Sequence, residues 1–595
     1  MKKNAFVILL IIIISLINVK SVFASEFATS YEVIYELKSK TEVNVTYNVE
    51  LENLTSEYFA SEYAISVEEL NLKNIVATQN DNVIPVTAEE INNKTNISTT
   101  LTKNIVGKGK RSNITISYST DTLLKTKGNV LELTVPKLSA AETLNKYNVI
   151  IKSANTIGKE LYLFPRPTNT YKDGEFTAYE FSNTDIKNNG INAVFGEFQL
   201  YELDLKYHLK NPTNKRVLQD ITFPPDIKGR QSIVIKSLFP EPQRVYIDPD
   251  GNYLAEYLLE PSEDILINLA MDIKVVNFEY KTPLLDNTYT SSQPYWETDN
   301  DTVKKVLSEL NLQNFTTNDE KASQIYNYIV TNYKYSTEKA TIGNINREGV
   351  IYALNNPTQP VCMEYADSFI ALSRAAGIPT REINGYAFTS GDDDKPLSLR
   401  LDGTNDVLHA WAEYYSAERG WVQVDPTWGS TSGLDYFTQF DTNHITFITH
   451  GQNSNYPYPA GSFKIDETED NFINVRFKSD QQIPVDYKFE AVEVFRTDIK
   501  SILTLKTKTL LKNTSNTTIY NASLGNKQVG NIPPFGEVSI ENNEKTYEIS
   551  FESFTGTKIS NELVIENKVY IRSLLIPIVV FILALMLFLY VIVRR

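Results

Sequence analysis

The sequence has 595 residues, a formal net charge of −16, 42% hydrophobic residues and 11% aromatic residues. A single hydrophobic core stops growing at roughly 250–300 residues, so several domains are expected. The apolar and aromatic content excludes a largely disordered chain. The acidic balance argues against a nucleic-acid partner, because binding nucleic acid requires a basic face.

The first 24 residues have the pattern of a secretory signal peptide. Lys2 and Lys3 precede an apolar run, and the segment ends in Val22-Phe23-Ala24. A positive start, a short apolar run and a small residue at the cleavage position are typical of such signals. We therefore expect residues 1–24 to be removed; the alternative is an N-terminal anchor that is not cleaved.

Strand patterns dominate the first half of the chain. Residues 43–51 and 201–209 alternate apolar and polar side chains, which is typical of half-buried strands. Turn signals such as Asp173-Gly174 separate the runs. The region is too long for one sandwich, so we predict two all-β domains, at residues 25–157 and 158–290.

Helical spacing first appears after residue 300. Apolar side chains recur on one helix face from Ala322 to Tyr333, and a second helical stretch follows Cys362. Strand patterns return after Ile378-Pro379. Helices followed by strands predict an α+β domain at residues 291–460.

Cys362 is the only cysteine, so no intrachain disulfide can form. Exported proteins usually pair their thiols or avoid them, so this thiol is either buried and inert or chemically active. Pro360 disfavours helix at the residue before it, and a helix should therefore begin near Cys362. The positive end of the helix dipole would then lower the pKa of the thiol.

Two later segments carry the residues that would work with this thiol. Residues 409–415 and 421–425 look like strands joined by a polar turn, and a turn centred on Ala417 pairs His409 with Asp425. Residues opposed in this way have Cβ atoms roughly 4.5–5.5 Å apart. Taken alone, His409 would more often be a structural or surface histidine than a catalytic one.

Together the three residues form a candidate catalytic triad. Cys362 supplies the nucleophile, His409 accepts or shares its proton, and Asp425 orients the imidazole and stabilises its charged form. We therefore predict that these three side chains meet in the folded protein.

The segments around the triad resemble the core of the transglutaminase-like superfamily, and the order Cys, His, Asp matches. Residues 435–447 are similar to the end of that core in bacterial members. The resemblance implies a papain-like arrangement, with the cysteine on a helix packed against a sheet that carries the histidine and the aspartate. The family often has glycine two residues before the cysteine, where this chain has Pro360. The motifs are Cys362, Arg374-Ala375-Ala376-Gly377-Ile378-Pro379-Thr380-Arg381, Gly385-Tyr386, His409-Ala410-Trp411-Ala412-Glu413 and Gly420-Trp421-Val422-Gln423-Val424-Asp425-Pro426-Thr427.

The remaining site predictions concern the oxyanion and the groove. The backbone N–H of Cys362 is the first candidate oxyanion donor, and Gln359 is the second. Trp411, Trp421 and Trp428 either wall a substrate groove or belong to the core.

We predict no metal and no cofactor. The acidic segment 391–396 is interpreted as a solvated loop, because a calcium site needs six to eight well-placed oxygens. His444 and His450 lack the companion residues of a metal motif.

The C-terminal region predicts a further β-sandwich at residues 463–570 and a transmembrane helix at residues 573–593. Leu574–Val593 is an apolar run without charge, and as a helix it would span roughly 30 Å, the thickness of a bilayer core. Arg594 and Arg595 would then lie in the cytoplasm. The expected localisation is a single-pass cell-membrane protein with its N-terminal ectodomain outside.

The sequence therefore predicts a multidomain protein with a papain-like α+β core, flanking β-sandwiches and one membrane helix. Its predicted function is cysteine-dependent acyl transfer on peptide or glutamine carboxamide bonds at the cell surface, through a thioester on Cys362. An amine would give crosslinking and water would give hydrolysis. If Trp411 or Trp428 lines the groove, we expect the amine to be incorporated. If both rings are buried away from Cys362, we expect hydrolysis to dominate. The alternative is a non-catalytic adhesion or scaffold protein. Expected partners are protein or peptide substrates outside the cytoplasmic membrane.

Overall fold

The computed structural model is mostly β-structure. The residues it describes form two compact units. The first comprises 26–125, 132–158 and 165–193, and the second comprises 126–131, 159–164 and the residues from 194 onward. The described residues are 26–68, 71–138, 144–186, 190–278, 280–281, 284, 288–341, 346–387, 399–400, 407–465, 472–479, 484–496, 506–541, 546–564, 581–586 and 589–590.

The first unit contains an eight-stranded sheet and a three-stranded sheet. The alternation that predicted strands is visible in Val43–Asn53, where every second side chain is buried. The strands of the eight-stranded sheet, in spatial order, are Asn169–Asp173, Phe176–Ser182, Lys146–Ala154, Phe27–Leu37, Val43–Asn53, Arg111–Thr120, Lys73–Gln79 and Asn82–Ile84. Those of the three-stranded sheet are Phe59–Val67, Lys94–Val106 and Val86–Ile91. The remaining elements before residue 197 are Leu124–Lys127, Val130–Val135, Lys159–Phe164, the helix Asn183–Ile186 and Ile191–Gly196.

The second unit begins with two facing β-sheets whose inner side chains form one hydrophobic cluster. Gln199–Lys210 pairs with Asp264–Val275 and also with Ile473–Phe477, a strand that lies after the α+β region in the chain. The four-stranded sheet runs Gln231–Phe239, Asp264–Val275, Gln199–Lys210 and Ile473–Phe477, and the three-stranded sheet runs Val217–Phe223, Tyr253–Leu259 and Arg244–Ile247.

The α+β region contains the two predicted helices. The periodic face of Asn318–Asn332 is buried, and Thr317 caps its first turn together with Glu320. The helix Cys362–Ala375, called the cysteine helix below, is buried along most of its length. The other helical segments are Thr288–Thr290, Asp301–Leu310, Leu312–Asn314, Thr337–Thr341, Gly349–Asn355 and Pro426–Ser432.

An antiparallel sheet packs against the cysteine helix. Thr380–Ala387 lies at its centre, between Val407–Ser416, called the histidine strand below, and His444–His450. Gly420–Val424, called the aspartate strand below, pairs with the histidine strand, as does the short strand Leu399–Arg400. This sheet places His409 opposite Gly385 and His444 opposite Ala387.

Two further sheets follow the α+β region and share one hydrophobic cluster. The three-stranded sheet runs Phe489–Arg496, Lys506–Asn513 and Glu537–Glu541, and the four-stranded sheet runs Lys527–Ile532, Ile519–Leu524, Thr546–Glu552 and Lys558–Val564.

The predicted transmembrane helix is wrong, and the predicted fold class and localisation are wrong with it. In the part of the chain that the structure describes, no helix is long and apolar enough to cross a membrane. Helical residues near the C-terminus are 581–586 and 589–590. The other residues of the predicted span, and the signal peptide predicted at 1–24, lie outside the described residues.

Candidate catalytic site

The cysteine helix begins at Cys362, as the proline two residues earlier predicts. The carboxylate of Glu364 accepts a hydrogen bond from the backbone N–H of Val361 at 3.0 Å, which satisfies the chain at the point where it enters the helix. The same carboxylate pairs with Lys339 at 3.1 Å. Cys362 therefore stands at a fixed position, where the first N–H groups of a helix lack intrahelical partners.

The Cys362 thiol is fully buried. Burial raises the pKa of Cys362 far above its usual value, although the N–H groups of Ala410 and Met363 act in the opposite direction. The expectation that the helix terminus lowers this pKa is therefore wrong in its net direction, because desolvation of the thiolate is the larger effect. Burial therefore disfavours the thiolate form of Cys362, which lies beside the histidine strand.

His409 contacts Asp425 through one ring nitrogen only. Its Nε2 lies 2.7 Å from Oδ2 of Asp425. Its Nδ1 is buried and has no hydrogen-bond partner among the described residues. An imidazole that donates from Nε2 carries its lone pair on Nδ1, so Nδ1 is the atom that can accept a proton.

Asp425 does not lie on a strand. The aspartate strand ends at Val424, and Asp425 is the N-cap of the helix Pro426–Ser432, with its Oδ1 accepting from the N–H of Trp428 at 3.0 Å. The hairpin pairs Ala412 with Val424, so the predicted turn centre at Ala417 is wrong by one position and the register by two. A two-residue slip preserves the sheet face, and the cap brings the carboxylate to His409.

The Asp425 carboxyl is ionised. Burial raises its pKa, but His409 and His444 outweigh burial and hold the pKa well below its usual range. Three donors therefore surround one carboxylate in the protein interior: two imidazoles and one backbone N–H.

His444 is the second imidazole on that carboxylate. Its Nε2 lies 3.2 Å from Asp425 Oδ2, and its Nδ1 lies 2.7 Å from Asp441 Oδ1. Asp441 also accepts from the hydroxyl of Tyr436 at 2.8 Å. The four side chains His409, Asp425, His444 and Asp441 form a continuous hydrogen-bonded row, called the site row below.

Aromatic rings enclose the site row. Trp411 and Trp428 are buried, and each packs on both His409 and His444. Both rings are therefore core. Trp421 is also buried, but it packs under the guanidinium of Arg381, with 4.1 Å between the guanidinium carbon and the ring centre, away from the site row.

Gln359 is placed less favourably for catalysis. Its side chain is exposed, and its backbone N–H donates to the carbonyl oxygen of Asn356 at 3.0 Å. The acidic segment 391–396 lies outside the described residues. The second oxyanion donor therefore stays a prediction.

Among the described residues, the ligand atoms of His409, Asp425 and His444 lie within 4.8 Å of one another. Imidazole and carboxylate are ligands that zinc accepts. The 2.7 and 3.2 Å separations to Asp425 are those of hydrogen bonds, and a carboxylate shared by two imidazoles accounts for the arrangement.

Sequence reasoning did not identify the roles of His444 and Asp441. The sequence places His444 in the segment that resembles the end of the family core and gives it no metal motif. A local signal was present, since Asp441 lies three residues before a histidine that opens a strand whose seven residues are all buried. A buried histidine requires hydrogen-bond partners.

Residues 308–426 match the family described as the Transglutaminase-like superfamily. The uncharacterized protein YebA of Bacillus subtilis is 34% identical over 128 residues, 21% of this chain and 17% of that protein. A protein-glutamine gamma-glutamyltransferase of Pseudomonas aeruginosa is 37% identical over 81 residues, 14% of this chain and 12% of that protein. The chain thus spans less than a fifth of each of these relatives. A solved structure named as a candidate cysteine protease of Cytophaga hutchinsonii covers 48% of this chain and 99% of its own, with 13% identity and a TM-score of 0.31.

Proposed function

Residues 308–426 belong to the transglutaminase-like superfamily, and from that premise we propose that the protein is a cysteine-dependent acyltransferase or amidase. Its substrates are peptide bonds or glutamine carboxamides of proteins and peptides. The observation that carries the proposal is the state of His409: one ring nitrogen is bonded to a buried carboxylate, and the other has no hydrogen-bond partner in the part of the chain that the structure describes. That arrangement suits a general base held in one tautomer.

In the first half-reaction, the Cys362 sulfur attacks the amide carbonyl carbon while its proton passes to Nδ1 of His409. This concerted route suits a thiol whose pKa is raised by burial, since no free thiolate need accumulate. The N–H groups at the start of the cysteine helix stabilise the oxyanion. His409 then returns the proton to the departing nitrogen, the carbon–nitrogen bond breaks, and a thioester with an amine or ammonia as product remains.

In the second half-reaction, a nucleophile attacks the thioester carbonyl and gives its proton to His409. The carbon–sulfur bond breaks, and the proton moves to the sulfur of Cys362. Water yields a carboxylic acid, whereas an amine yields a new amide.

Water is the favoured nucleophile. Aminolysis competes with hydrolysis only where a site excludes water and holds an amine near the acyl carbon. Trp411 and Trp428 are the predicted walls that would offer an amine an aromatic face. Both rings are buried against the two histidines, which leaves neither face exposed to hold an amine. Transamidation is the second candidate, supported by the name of the Pseudomonas aeruginosa relative.

The test is a peptide-library screen read by mass spectrometry, with and without a biotinylated alkylamine. The library contains internal glutamines, so it reports peptide cleavage, conversion of glutamine to glutamate, and amine incorporation in one experiment. We expect cleavage or glutamine deamidation that is abolished in Cys362→Ala. Amine incorporation as the main product would replace hydrolysis with the second candidate.

Ser373→Ala is the matched control, because Ser373 is buried on the same helix, near the end opposite Cys362. It should keep wild-type product yields. If the folded wild-type protein and Cys362→Ala both leave the peptide library unmodified, the non-catalytic adhesion or scaffold function is favoured instead.

A further inference from the structure

His444 is held by hydrogen bonds at both ring nitrogens. Nε2 meets Asp425 at 3.2 Å and Nδ1 meets Asp441 at 2.7 Å. A neutral imidazole has one N–H and cannot donate to two carboxylates at once, whereas an imidazolium can. The two contacts therefore call for a protonated His444.

The surroundings strengthen these contacts. The His444 side chain is 1% exposed, and the rings of Phe440 and Trp428 lie 4.5 and 4.4 Å from its centre. Electrostatic interactions are stronger in such a dry environment than in water. Burial lowers the pKa of His444, but Asp441 and Asp425 together raise it to about 9. The imidazolium thus persists at neutral pH.

His409 and His444 share one oxygen. Both Nε2 atoms approach Oδ2 of Asp425, at 2.7 and 3.2 Å. A cation that shares the oxygen weakens the pull of Asp425 on the proton of His409. His444 therefore acts on His409 through the carboxylate, without touching the thiol.

The net charge of the site row shows how the His444 imidazolium affects proton transfer by His409. Two carboxylates and one imidazolium carry a net charge of −1 while His409 is neutral, and zero when His409 has taken the thiol proton. Without the His444 charge, the same two states would carry −2 and −1. An excess negative charge in a buried site would hold the proton on His409 and oppose its return to the leaving nitrogen.

We propose that His444 is a positioning residue, whose imidazolium joins Asp425 to Asp441 and limits how tightly Asp425 makes His409 hold a proton. The inference rests on the proposed function, in which His409 exchanges that proton with Cys362 and the substrate. The groups that face His444 on its various sides are Asp425, Asp441, His409, the hydroxyl of Tyr436, and, across a small cavity, Arg230, which is paired with Glu413.

The test compares wild type with His444→Gln and His450→Gln in the full chain. His450 is a matched control, since it ends the same strand, is also buried, and also contacts a carboxylate, Glu382, at 3.0 Å. The chain has only four histidines, so histidine-labelled protein gives a short list of NMR ring signals that variants can assign.

In wild type we expect the His444 signal to remain that of an imidazolium through neutral pH and to lose its proton near pH 9. In His444→Gln, the His409 signal should lose its proton at higher pH than in wild type. The acid limb of kcat/KM should move in the same direction. The value of kcat should fall about 10–100-fold, as when other residues that hydrogen-bond to a directly acting side chain are removed. His450→Gln should change neither the pH at which His409 loses its proton nor the pH of the acid limb of kcat/KM.

A neutral His444 at pH 7, or an unchanged His409 titration in His444→Gln, would overturn the inference. If His444→Gln does not fold, Asp441→Asn replaces it: the His444 proton should then leave at lower pH, and an unchanged value would be equally decisive. The NMR measurements need no substrate. A wild-type protein without Cys362-dependent turnover would contradict the proposed function. The NMR measurements would still determine the charge of His444 and its effect on His409.

Discussion

The strand His444–His450 has a buried charged cluster at each end, and the two clusters differ in their cations. At the first end, Asp425 and Asp441 are bonded by imidazoles, a tyrosine hydroxyl and backbone N–H groups. The pKa of His444 at that end is raised to about 9 by its two carboxylates, and Nδ1 of His409 has no partner among the described residues.

At the second end, a permanent cation holds the carboxylates. Arg347 donates to both oxygens of Asp367 and to Glu382 at 3.1 Å. The indole N–H of Trp296 adds a bond to Asp367 at 2.7 Å. Both nitrogens of His450 are occupied, by Glu382 and by the carbonyl oxygen of Pro457 at 2.7 Å.

The difference separates a candidate catalytic cluster from a structural one. Guanidinium groups stay charged throughout the physiological pH range, so they fix carboxylates but exchange no proton. Imidazoles exchange protons near neutral pH, and a free buried nitrogen is a place for one to go. Both clusters are buried and charged, and among the described residues only the first has a histidine nitrogen, Nδ1 of His409, without a hydrogen-bond partner.

The largest expected effect comes from removing the shared carboxylate at the first end. Asp425→Asn should lower kcat by roughly 10³–10⁴-fold, because an amide neither fixes the His409 tautomer nor stabilises its charged form. The measurement is turnover of a peptide identified in the library screen, with urea unfolding in parallel to show that the variant is folded.

Asp367→Asn is the matched variant at the second end. It should lower stability but change kcat by less than about threefold, because Asp367 bonds Arg347 and Trp296 rather than a triad residue. Equal losses of kcat in the two variants would break the distinction between the clusters.

The next largest effect is on stability at the second end. Arg347→Met leaves two buried carboxylates without their cation, which should cost about 3–5 kcal/mol in the free energy of unfolding. Adding Asp367→Asn and Glu382→Gln to the same chain should recover part of that loss, since no unpaired charge then remains. Calorimetry and urea unfolding measure both variants. A greater loss in the triple variant would mean that the contacts of Asp367 and Glu382 stabilise independently of Arg347.

A smaller effect separates the clusters by pH. The folded-state pKa of His444 is about 9 against an ordinary value of 6.5, so its contribution to stability is complete below pH 6.5 and is lost as the pH rises through 9. Between pH 7 and 10, wild type should lose about 3–6 °C of Tm more than His444→Gln does. Ser373→Ala, which removes no titratable group, should follow the wild-type slope, and a His444→Gln slope equal to that of wild type would contradict the protonated state of His444.

Local sequence patterns predicted the parts of the fold that depend on near neighbours. The helix Asn318–Asn332 and the cysteine helix were confirmed because apolar spacing reports directly which face is buried. The resemblance to the transglutaminase-like superfamily was confirmed for residues 308–426. The triad assignment itself stays a prediction, although the structure brings His409 and Asp425 together.

The parts that failed depend on geometry that spacing does not report. The hairpin register was wrong because Ser416 Oγ accepts from the N–H groups of Glu418 and Arg419, which makes a tight turn ending at Gly420, where φ is +78°. The direction of the Cys362 pKa was wrong because burial is a property of packing, whereas the helix start is local. The membrane helix was wrong, since no helix among the described residues is long and apolar enough to cross a membrane.

The smallest expected effect tests the edge of the first cluster. Gln359 lies three residues before Cys362, and its backbone N–H already donates to the carbonyl oxygen of Asn356. The Gln359 side chain, which the alanine variant removes, is exposed. Gln359→Ala should therefore change kcat by less than about twofold, as for a surface substitution, and the neighbouring exposed Thr358→Ala should do the same. Removing a genuine oxyanion donor costs about 10²–10³-fold in kcat. A loss of that size, with Thr358→Ala unaffected, would mean that the Gln359 side chain turns towards the bound substrate and extends the catalytic cluster to the residues before the helix.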